Sequence, residues 1–362
     1  MSTQTTTILL ALSLAALACS ANRVDLDAPV LEPGNEPSVL GLVRERVEKL
    51  AVDGERLFWS GTRVPRADGA NAWFLRSCQK RDCAATLVTY DSQPYDAQMH
   101  GTGEFMSDFF AVSGGQIYWY RSNSDELVAC PVTGCIGSPR KLADLTIGGA
   151  VFHDDRVYFC DQGGPIESLS VLEPEPRQPP MPVTNAALTL AVQYGYVYWL
   201  DGNGRSILRT RTDGAFAAET IANDVTVSAF HDFRAATDAT SIYWTNNVLA
   251  GSIRRCPLAG CSGASDVVIA VLGTPQSLLI DGSELYYQHE AKPEEFSLSS
   301  CSLPDCAQSL PLVDHLDAPA AFALDDQYLY VATGEQDLSP ADIEKGTIAR
   351  IRRLPKPHQE LP

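Results

Sequence analysis

Short apolar stretches, turn residues and aromatic stretches alternate along most of the chain. One ten-residue phrase recurs: an apolar stretch, a turn, and a strand-forming stretch that ends in aromatic residues. Its seven copies are LAVDGERLFW (50–59), FAVSGGQIYW (110–119), AVFHDDRVYF (150–159), LAVQYGYVYW (190–199), AATDATSIYW (235–244), LLIDGSELYY (278–287) and FALDDQYLYV (322–331). This alternation predicts that each copy forms two β-strands joined by a tight turn.

The spacing of the copies predicts the architecture. Their last positions are 59, 119, 159, 199, 244, 287 and 331, and most intervals lie between 40 and 45 residues. A period of this length is typical of four-stranded propeller blades. We therefore expect an all-β fold, a β-propeller over residues 38–355 with seven four-stranded blades, and six blades as the alternative.

The last unit lacks a fourth strand, because its remaining segment, Leu354–Pro362, contains three prolines that cannot donate to a ladder. The segment Ser38–Arg44 has strand character and no unit of its own. The sequence therefore predicts that this N-terminal strand completes the last blade and closes its open edge. Residues 356–362 are expected to form a C-terminal tail.

Two segments resemble a known repeat. Tyr243-Trp244-Thr245-Asn246 and Tyr198-Trp199-Leu200-Asp201 resemble the YWTD repeat of low-density-lipoprotein-receptor-type propellers, and Ile207–Gly214 is similar to its third strand and turn. The resemblance implies a propeller. Because YWTD domains usually have six blades, the six-bladed TolB-like propellers are a near alternative.

The N-terminus has the features of an export signal. The apolar stretch Ile8–Ala18 is shorter than the about 20 residues that span a membrane, which predicts a signal peptide over residues 1–18. Ala16-Leu17-Ala18-Cys19 resembles a bacterial lipobox, which implies lipidation of Cys19. Residues 19–37 are then a flexible acidic tether. We expect an outer membrane lipoprotein of the bacterial cell envelope, periplasmic or surface facing, with secretion as the alternative.

The charge balance excludes some partners. A net charge of −18 argues against binding nucleic acid or anionic lipid headgroups, since both require Lys and Arg. Contact with a membrane is therefore expected only through the N-terminal lipid.

Eight of the ten cysteines form pairs of identical spacing. Residues five apart across a hairpin loop face each other at disulfide distance, and export favours oxidation. The predicted disulfides are Cys78–Cys83, Cys130–Cys135, Cys256–Cys261 and Cys301–Cys306. Cys₄ zinc sites and reduced thiols are the alternatives. Cys160 is expected to be a buried small apolar residue.

The sequence contains no standard catalytic or nucleotide-binding signature, so catalytic residues are unknown. Topology predicts that the Asp-Gly turns and the cysteine hairpins share one face, and that long loops share the other. The expected long loops are Ser92–Asp108, Asn223–Phe233, Gln288–Phe296 and Thr333–Gly346.

Long loops on a rigid scaffold often carry function. The candidate binding face comprises His100, His231, His289, His315, Glu290, Glu294 and Asp342. We expect a non-catalytic platform that binds a protein or envelope polymer, without metal or cofactor. The alternative is a propeller lyase or hydrolase, like the virginiamycin B lyase family, with a divalent metal or His site at the channel mouth.

Overall fold

Every regular element that the computed structural model describes is a β-strand. The described residues are 38–43, 46–63, 71–95, 109–160, 164–174, 181, 183, 186–215, 217–226, 234–246, 248, 251–261, 263–270, 273–292, 295–316, 321–334 and 349–356. They contain 27 strands in antiparallel sheets. No helix long and apolar enough to cross a membrane occurs in this part of the chain.

The strands follow each other from sheet to sheet in chain order. The N-terminal strand is β1 (Ser38–Val43). Sheet 1 contains β2 (Arg46–Asp53), β3 (Arg56–Arg63), β4 (Asn71–Gln79) and β5 (Val88–Tyr95). Sheet 2 contains β6 (Phe110–Ser113), β7 (Gln116–Arg121), β8 (Glu126–Pro131) and β9 (Arg140–Asp144). Sheet 3 contains β10 (Gly149–His153), β11 (Arg156–Cys160) and β12 (Ile166–Ser170).

The second half of the chain repeats this order. Sheet 4 contains β13 (Ala186–Gln193), β14 (Tyr196–Asp201), β15 (Ile207–Arg211) and β16 (Glu219–Ala222). Sheet 5 contains β17 (Ala235–Thr237), β18 (Ser241–Asn246), β19 (Ser252–Pro257) and β20 (Asp266–Ala270). Sheet 6 contains β21 (Pro275–Asp281), β22 (Glu284–Lys292), β23 (Glu295–Ser302) and β24 (Ser309–Leu316). The closing sheet contains β25 (Ala321–Leu324), β26 (Tyr328–Gly334), β27 (Ala349–Pro355) and β1.

The β-propeller prediction is confirmed, but the prediction of seven four-stranded blades is wrong. The described residues contain six four-stranded sheets, so the alternative prediction of six such blades fits. Sheet 3 has three strands in this part of the chain. Five of the thirteen residues after β12, from Val171 to Val183, are prolines. Proline has no N–H for a ladder, which explains why this sequence is a poor fourth strand. The backbone N–H of Met181 still donates to the carbonyl of Ile166, at 2.8 Å.

The recurring phrase forms the first two strands of each sheet. In six of the seven copies the first and last residues pair across the hairpin, as in Leu50↔Trp59, Phe110↔Trp119 and Ala235↔Trp244. In sheet 1 the turn between them contains a left-handed residue, Gly54, with φ +51°. Turn chemistry therefore sets the register that places the aromatic residues in the core.

The hydrophobic core lies between consecutive sheets. Seven clusters of buried residues each join a sheet to the next, and one of them joins the closing sheet to sheet 1 through Leu50, Ala323 and Tyr330. Trp59, Trp119, Trp199 and Trp244 are all buried there. The repeated aromatic residues thus pack sheet against sheet, and their rings are not available as ligand platforms.

The chain closes on itself as the sequence predicts. β1 pairs antiparallel with β27, from Ser38↔Arg353 to Val43↔Ala349. Both ends of the propeller therefore contribute to one sheet, and β27 has partners on both sides. Lys356 was expected in the tail, but its side chain is only 4% exposed and it packs against sheet 6. The predicted signal peptide (1–18), Cys19 and tether (19–37) lie outside the described residues, as does the remaining tail.

Candidate binding face

The strand order divides the propeller into two faces. We call the face that carries the turns between first and second strands, together with the four cysteine hairpins, the turn face. The opposite side, where second and fourth strands end, is the loop face.

Disulfides hold four hairpins of the turn face. They join Cys78–Cys83, Cys130–Cys135, Cys256–Cys261 and Cys301–Cys306, with Cα–Cα distances of 4.7, 5.2, 5.4 and 5.0 Å. Each closes the connection between a third strand and the segment that leads to the fourth. Cys160 is buried and belongs to none of these four disulfides.

Three of these hairpins also accept hydrogen bonds from the preceding sheet. The Tyr90 hydroxyl donates to the carbonyl of Val132, and Arg209 donates to the carbonyl of Leu258 through Nη1. Arg255 Nη1 donates to the carbonyl of Pro304 at 2.8 Å. Because the hairpins use their carbonyls in this way, the turn face is largely committed to holding the sheets together.

The loop face contains the predicted binding residues that the structure describes. His289 and Glu290 lie near the end of β22, and His315 lies near the end of β24 in the same sheet. The strands between them are in register, with His289↔Ser297 and Phe296↔Leu316. Sheet 6 therefore brings three of the seven residues to one edge. The other four, His100, His231, Glu294 and Asp342, lie outside the described residues.

His289 has the features of a site residue. Its side chain is half-buried, and its ring lies 5.7 Å from that of Tyr287 between centroids. The Nδ1 atom is buried without a hydrogen-bond partner. Burial lowers the pKa of His289, and the nearby Asp314 carboxylate only partly opposes this effect. At neutral pH the imidazole is therefore neutral, with an unused ring nitrogen that can donate or accept.

One predicted long loop is instead a projecting hairpin. Within Gln288–Phe296, β22 continues to Lys292 and β23 begins at Glu295. The Lys292 ammonium lies 3.1 Å from the Glu295 carboxylate at the tip, and the N–H of Glu290 donates to the carbonyl of Thr274 at 3.1 Å. Only residues 293 and 294 separate the two strands, so the expectation of a long loop over Gln288–Phe296 is wrong.

The other expected loops are described only at their ends. Ser92–Tyr95 belongs to β5 rather than to a loop, and β26 continues to Gly334. Asn223–Thr226 follows β16, where Val225 is buried. The remaining parts of these three loops lie outside the described residues.

The sequence interpretation also missed charged side chains that join neighbouring sheets. Asp91 in β5 is 8% exposed and accepts hydrogen bonds from Trp119 Nε1 and Arg121 Nε, both at 2.7 Å. Asp224 accepts from Arg254 Nη1 at 2.7 Å and from the Ser265 hydroxyl at 2.6 Å. These pairs are up to 41 residues apart in sequence, so spacing alone did not reveal them. These hydrogen bonds join neighbouring sheets, so we assign the two carboxylates a role in stability.

Metal binding has limited support. Over the described ranges no group of three or more His, Cys, Asp or Glu side chains is arranged to hold an ion. Sheet 6 offers the His289 nitrogen and the neighbouring Glu290, while His100 and His231 fall in the gaps of the description. The expectations on metals and cofactors therefore stay predictions.

Comparisons with known proteins identify the fold and no more. No protein-family model and no curated protein matches the chain. A streptogramin B lyase structure matches with a TM-score of 0.54 and 10% identity over 88% of this chain and 97% of that chain. The β-propeller domain of the Trilobed protease from Pyrococcus furiosus matches with a TM-score of 0.52 and 10% identity over 80% and 91%. The computationally designed Ika8 protein matches with a TM-score of 0.52 and 10% identity, over 86% of this chain and 98% of that chain.

Proposed function

We propose that this chain is an exported, lipid-anchored β-propeller that binds a protein or an envelope polymer on its loop face. The anchor is the lipidated Cys19, and the outer membrane of a bacterial envelope is the expected location. No catalysis is required by this function. The observation that carries it is the loop-face edge of sheet 6, where half-buried His289 keeps a ring nitrogen without a hydrogen-bond partner.

The shape of the loop face supports a docking role. β22 has nine residues and β23 has eight, and in sheet 1 the corresponding strands β3 and β4 have eight and nine. The corresponding strands of sheets 2, 3, 4 and 5 have five or six residues. Two longer hairpins therefore stand on either side of the closing sheet. Rigid projecting strands lose little entropy on binding, which favours recognition.

Partner capture with matched histidine variants tests this proposal. The purified chain without its leader is used as bait for solubilised envelope fractions, followed by cross-linking and mass spectrometry. His289→Ala and His315→Ala should weaken capture, because both positions lie at the loop-face edge of sheet 6. His153→Ala is the control, since His153 lies at the turn face beside Asp154. If His153→Ala weakens capture and neither His289→Ala nor His315→Ala does, the partner binds the turn face and the proposal is wrong.

Lipidation has a separate test. Intact-mass analysis of the protein from membranes should show a diacylglyceryl or triacyl modification on Cys19, and Cys19→Ser should release the chain into the soluble fraction. A protein processed elsewhere, with an unmodified cysteine, would support secretion instead.

A propeller lyase or hydrolase is the second proposal. It rests on the neutral, partly unpartnered His289, which could act as a base or a metal ligand. Elemental analysis of the purified chain and of His100→Ala, His231→Ala, His289→Ala and His315→Ala is decisive for the metal version. Stoichiometric metal that disappears in two or more variants would favour this function over the binding platform.

A further inference from the structure

The closing sheet is the described sheet that combines both ends of the propeller. Its β1 and β27 pair through their backbones, and no turn connects the two strands. Their separation would therefore leave the hairpins of every other sheet intact. A sheet closed in this way can open at a lower free-energy cost than global unfolding, unless other contacts hold it in place.

The residue after the third strand occupies an equivalent position in every sheet. In each case its N–H donates to a carbonyl in the turn between the first and second strands of the same sheet. The seven bonds are Lys80→Glu55, Val132→Gly115, Val171→Asp155, Thr212→Gly195, Leu258→Thr240, Leu303→Ser283 and Lys356→Gln327, at 2.7–3.2 Å. The side chains at this position can therefore be compared directly.

Only two of these seven residues are lysines, and both reach back to the preceding sheet. Lys80 Nζ of sheet 1 lies 2.5 Å from Asp325 Oδ2 in the closing sheet. Lys356 Nζ of the closing sheet contacts Asp281 Oδ2 in sheet 6. Each acceptor lies at the turn between the first and second strands of its sheet. The two pairs thus occupy the two interfaces of the closing sheet.

Both ammonium groups are shielded from solvent. The exposed fraction is 13% for the Lys80 side chain and 4% for that of Lys356. Asp325 is further held by the Tyr330 hydroxyl at 2.7 Å, and Lys80 Nζ lies 5.3 Å from the centre of the Tyr330 ring. The partner carboxylates are more exposed, at 21% for Asp325 and 46% for Asp281. Replacing either aspartate would leave a shielded ammonium without its partner, which costs more than breaking an exposed pair.

The packing beside these pairs is open on the channel side. A cavity of about 360 Å³ is lined by the inner strands of sheet 1, the closing sheet and sheet 6, through Leu50–Val52, Phe322–Leu324 and Leu279–Asp281. Asp281 is part of its wall.

We propose that the Lys80–Asp325 and Lys356–Asp281 pairs are latches that keep the closing sheet in the ring, and that the ring opens at this sheet when a latch is lost. Opening separates β1 from β27 and exposes the core residues that face sheets 1 and 6. It leaves the disulfide hairpins and their sheets intact.

Hydrogen–deuterium exchange with mass spectrometry on the full chain tests the latches. Lys80→Met and Lys356→Met keep much of each side chain's apolar contact and remove the charge. Each should speed exchange of the β1 and β27 amides by about tenfold or more, while exchange in β13–β16 stays unchanged. Lys141→Met is the matched control, because the Lys141 side chain is 46% exposed and its ion pairs lie in sheet 2.

The outcomes separate a latch from general stabilisation. Faster exchange confined to the closing sheet and the adjoining edges of sheets 1 and 6 supports the proposal. Unchanged exchange in β1 and β27, or equal acceleration in all sheets, overturns it. If a methionine variant does not fold, Asp325→Asn and Asp281→Asn give the same readout, and Lys80→Arg should restore slow exchange because it keeps the charge.

Discussion

Asp91 is expected to be the acceptor on which the interface between sheets 1 and 2 most depends. Its carboxylate accepts from Trp119 Nε1 at 2.7 Å, from Arg121 Nε at 2.7 Å and from Gln93 Nε2 at 2.9 Å. The Trp119 side chain is fully buried, and the Arg121 side chain is 25% exposed. Replacing Asp91 by Ala removes these three bonds and a fourth, from the Ser92 N–H at 2.9 Å.

The magnitude follows from the groups left behind. Removing one partner of a buried ion pair costs about 3–5 kcal/mol. Leaving a buried N–H unsatisfied costs about 1–3 kcal/mol. Because Arg121 is partly exposed and can be hydrated, the lower part of these ranges applies, and we expect Asp91→Ala to lower the free energy of unfolding by about 3–4 kcal/mol. Asp91→Asn keeps an acceptor for Trp119 and should lose about half of that amount.

Urea unfolding followed by tryptophan fluorescence measures this difference. Glu55→Ala is the control, because Glu55 pairs with Arg81 at the surface and its side chain is 72% exposed. The control should unfold at the midpoint of the unchanged protein. An Asp91→Ala midpoint equal to that of the control, or an Asp91→Asn loss as large as that of Asp91→Ala, would refute the reasoning about the shared carboxylate.

Three further predictions concern closure, disulfides and pH. Deletion of residues 38–43 should lower the melting temperature markedly, because it exposes the edge of β27; an unchanged melting temperature would rule out closure by β1. Non-reducing peptide mapping should find the four predicted disulfides, and an unlinked pair would contradict this prediction. The double variant Cys256→Ser, Cys261→Ser should lose about 2 kcal/mol of folding stability, because the unfolded chain gains entropy without the cross-link. Unchanged stability of this variant would contradict the entropy argument. Burial lowers the pKa of His289, so the folded state binds this proton less readily than the unfolded state does. The contribution of the neutral imidazole to folding stability is therefore present above the unfolded pKa of about 6.5 and is lost as the pH falls below it. His289→Asn should reduce the acid-side loss in thermal unfolding scans from pH 8 to pH 5, and identical pH profiles would show that His289 does not contribute.

The periodic part of the fold could be predicted because it depends on local chemistry. The phrase that begins at Leu50 contains its own turn, and its first residue pairs with its last. Cysteines five apart face each other because a hairpin requires it. Sheet 3 differs because the segment after β12 is rich in proline, a signal that the period of the copies concealed.

The site could be predicted only in outline. The sequence placed His289 and His315 on one face, but strand register decided that they share one sheet edge. The latch between Lys80 and Asp325 spans 245 residues, and no local pattern connects the two positions. Contacts between residues this far apart in sequence depend on how the ring closes, and the spacing of the repeats does not specify this.

The latches and the binding face are linked through the closing sheet. That sheet packs between sheets 6 and 1, whose longer hairpins stand on either side of it at the loop face. The separation of the two hairpins is therefore set by the position of the closing sheet. The latches that fix this position lie at the turn face. A partner that contacts both hairpins would then bind a latched ring better than an open one, so loss of a latch should weaken capture from the opposite face of the molecule.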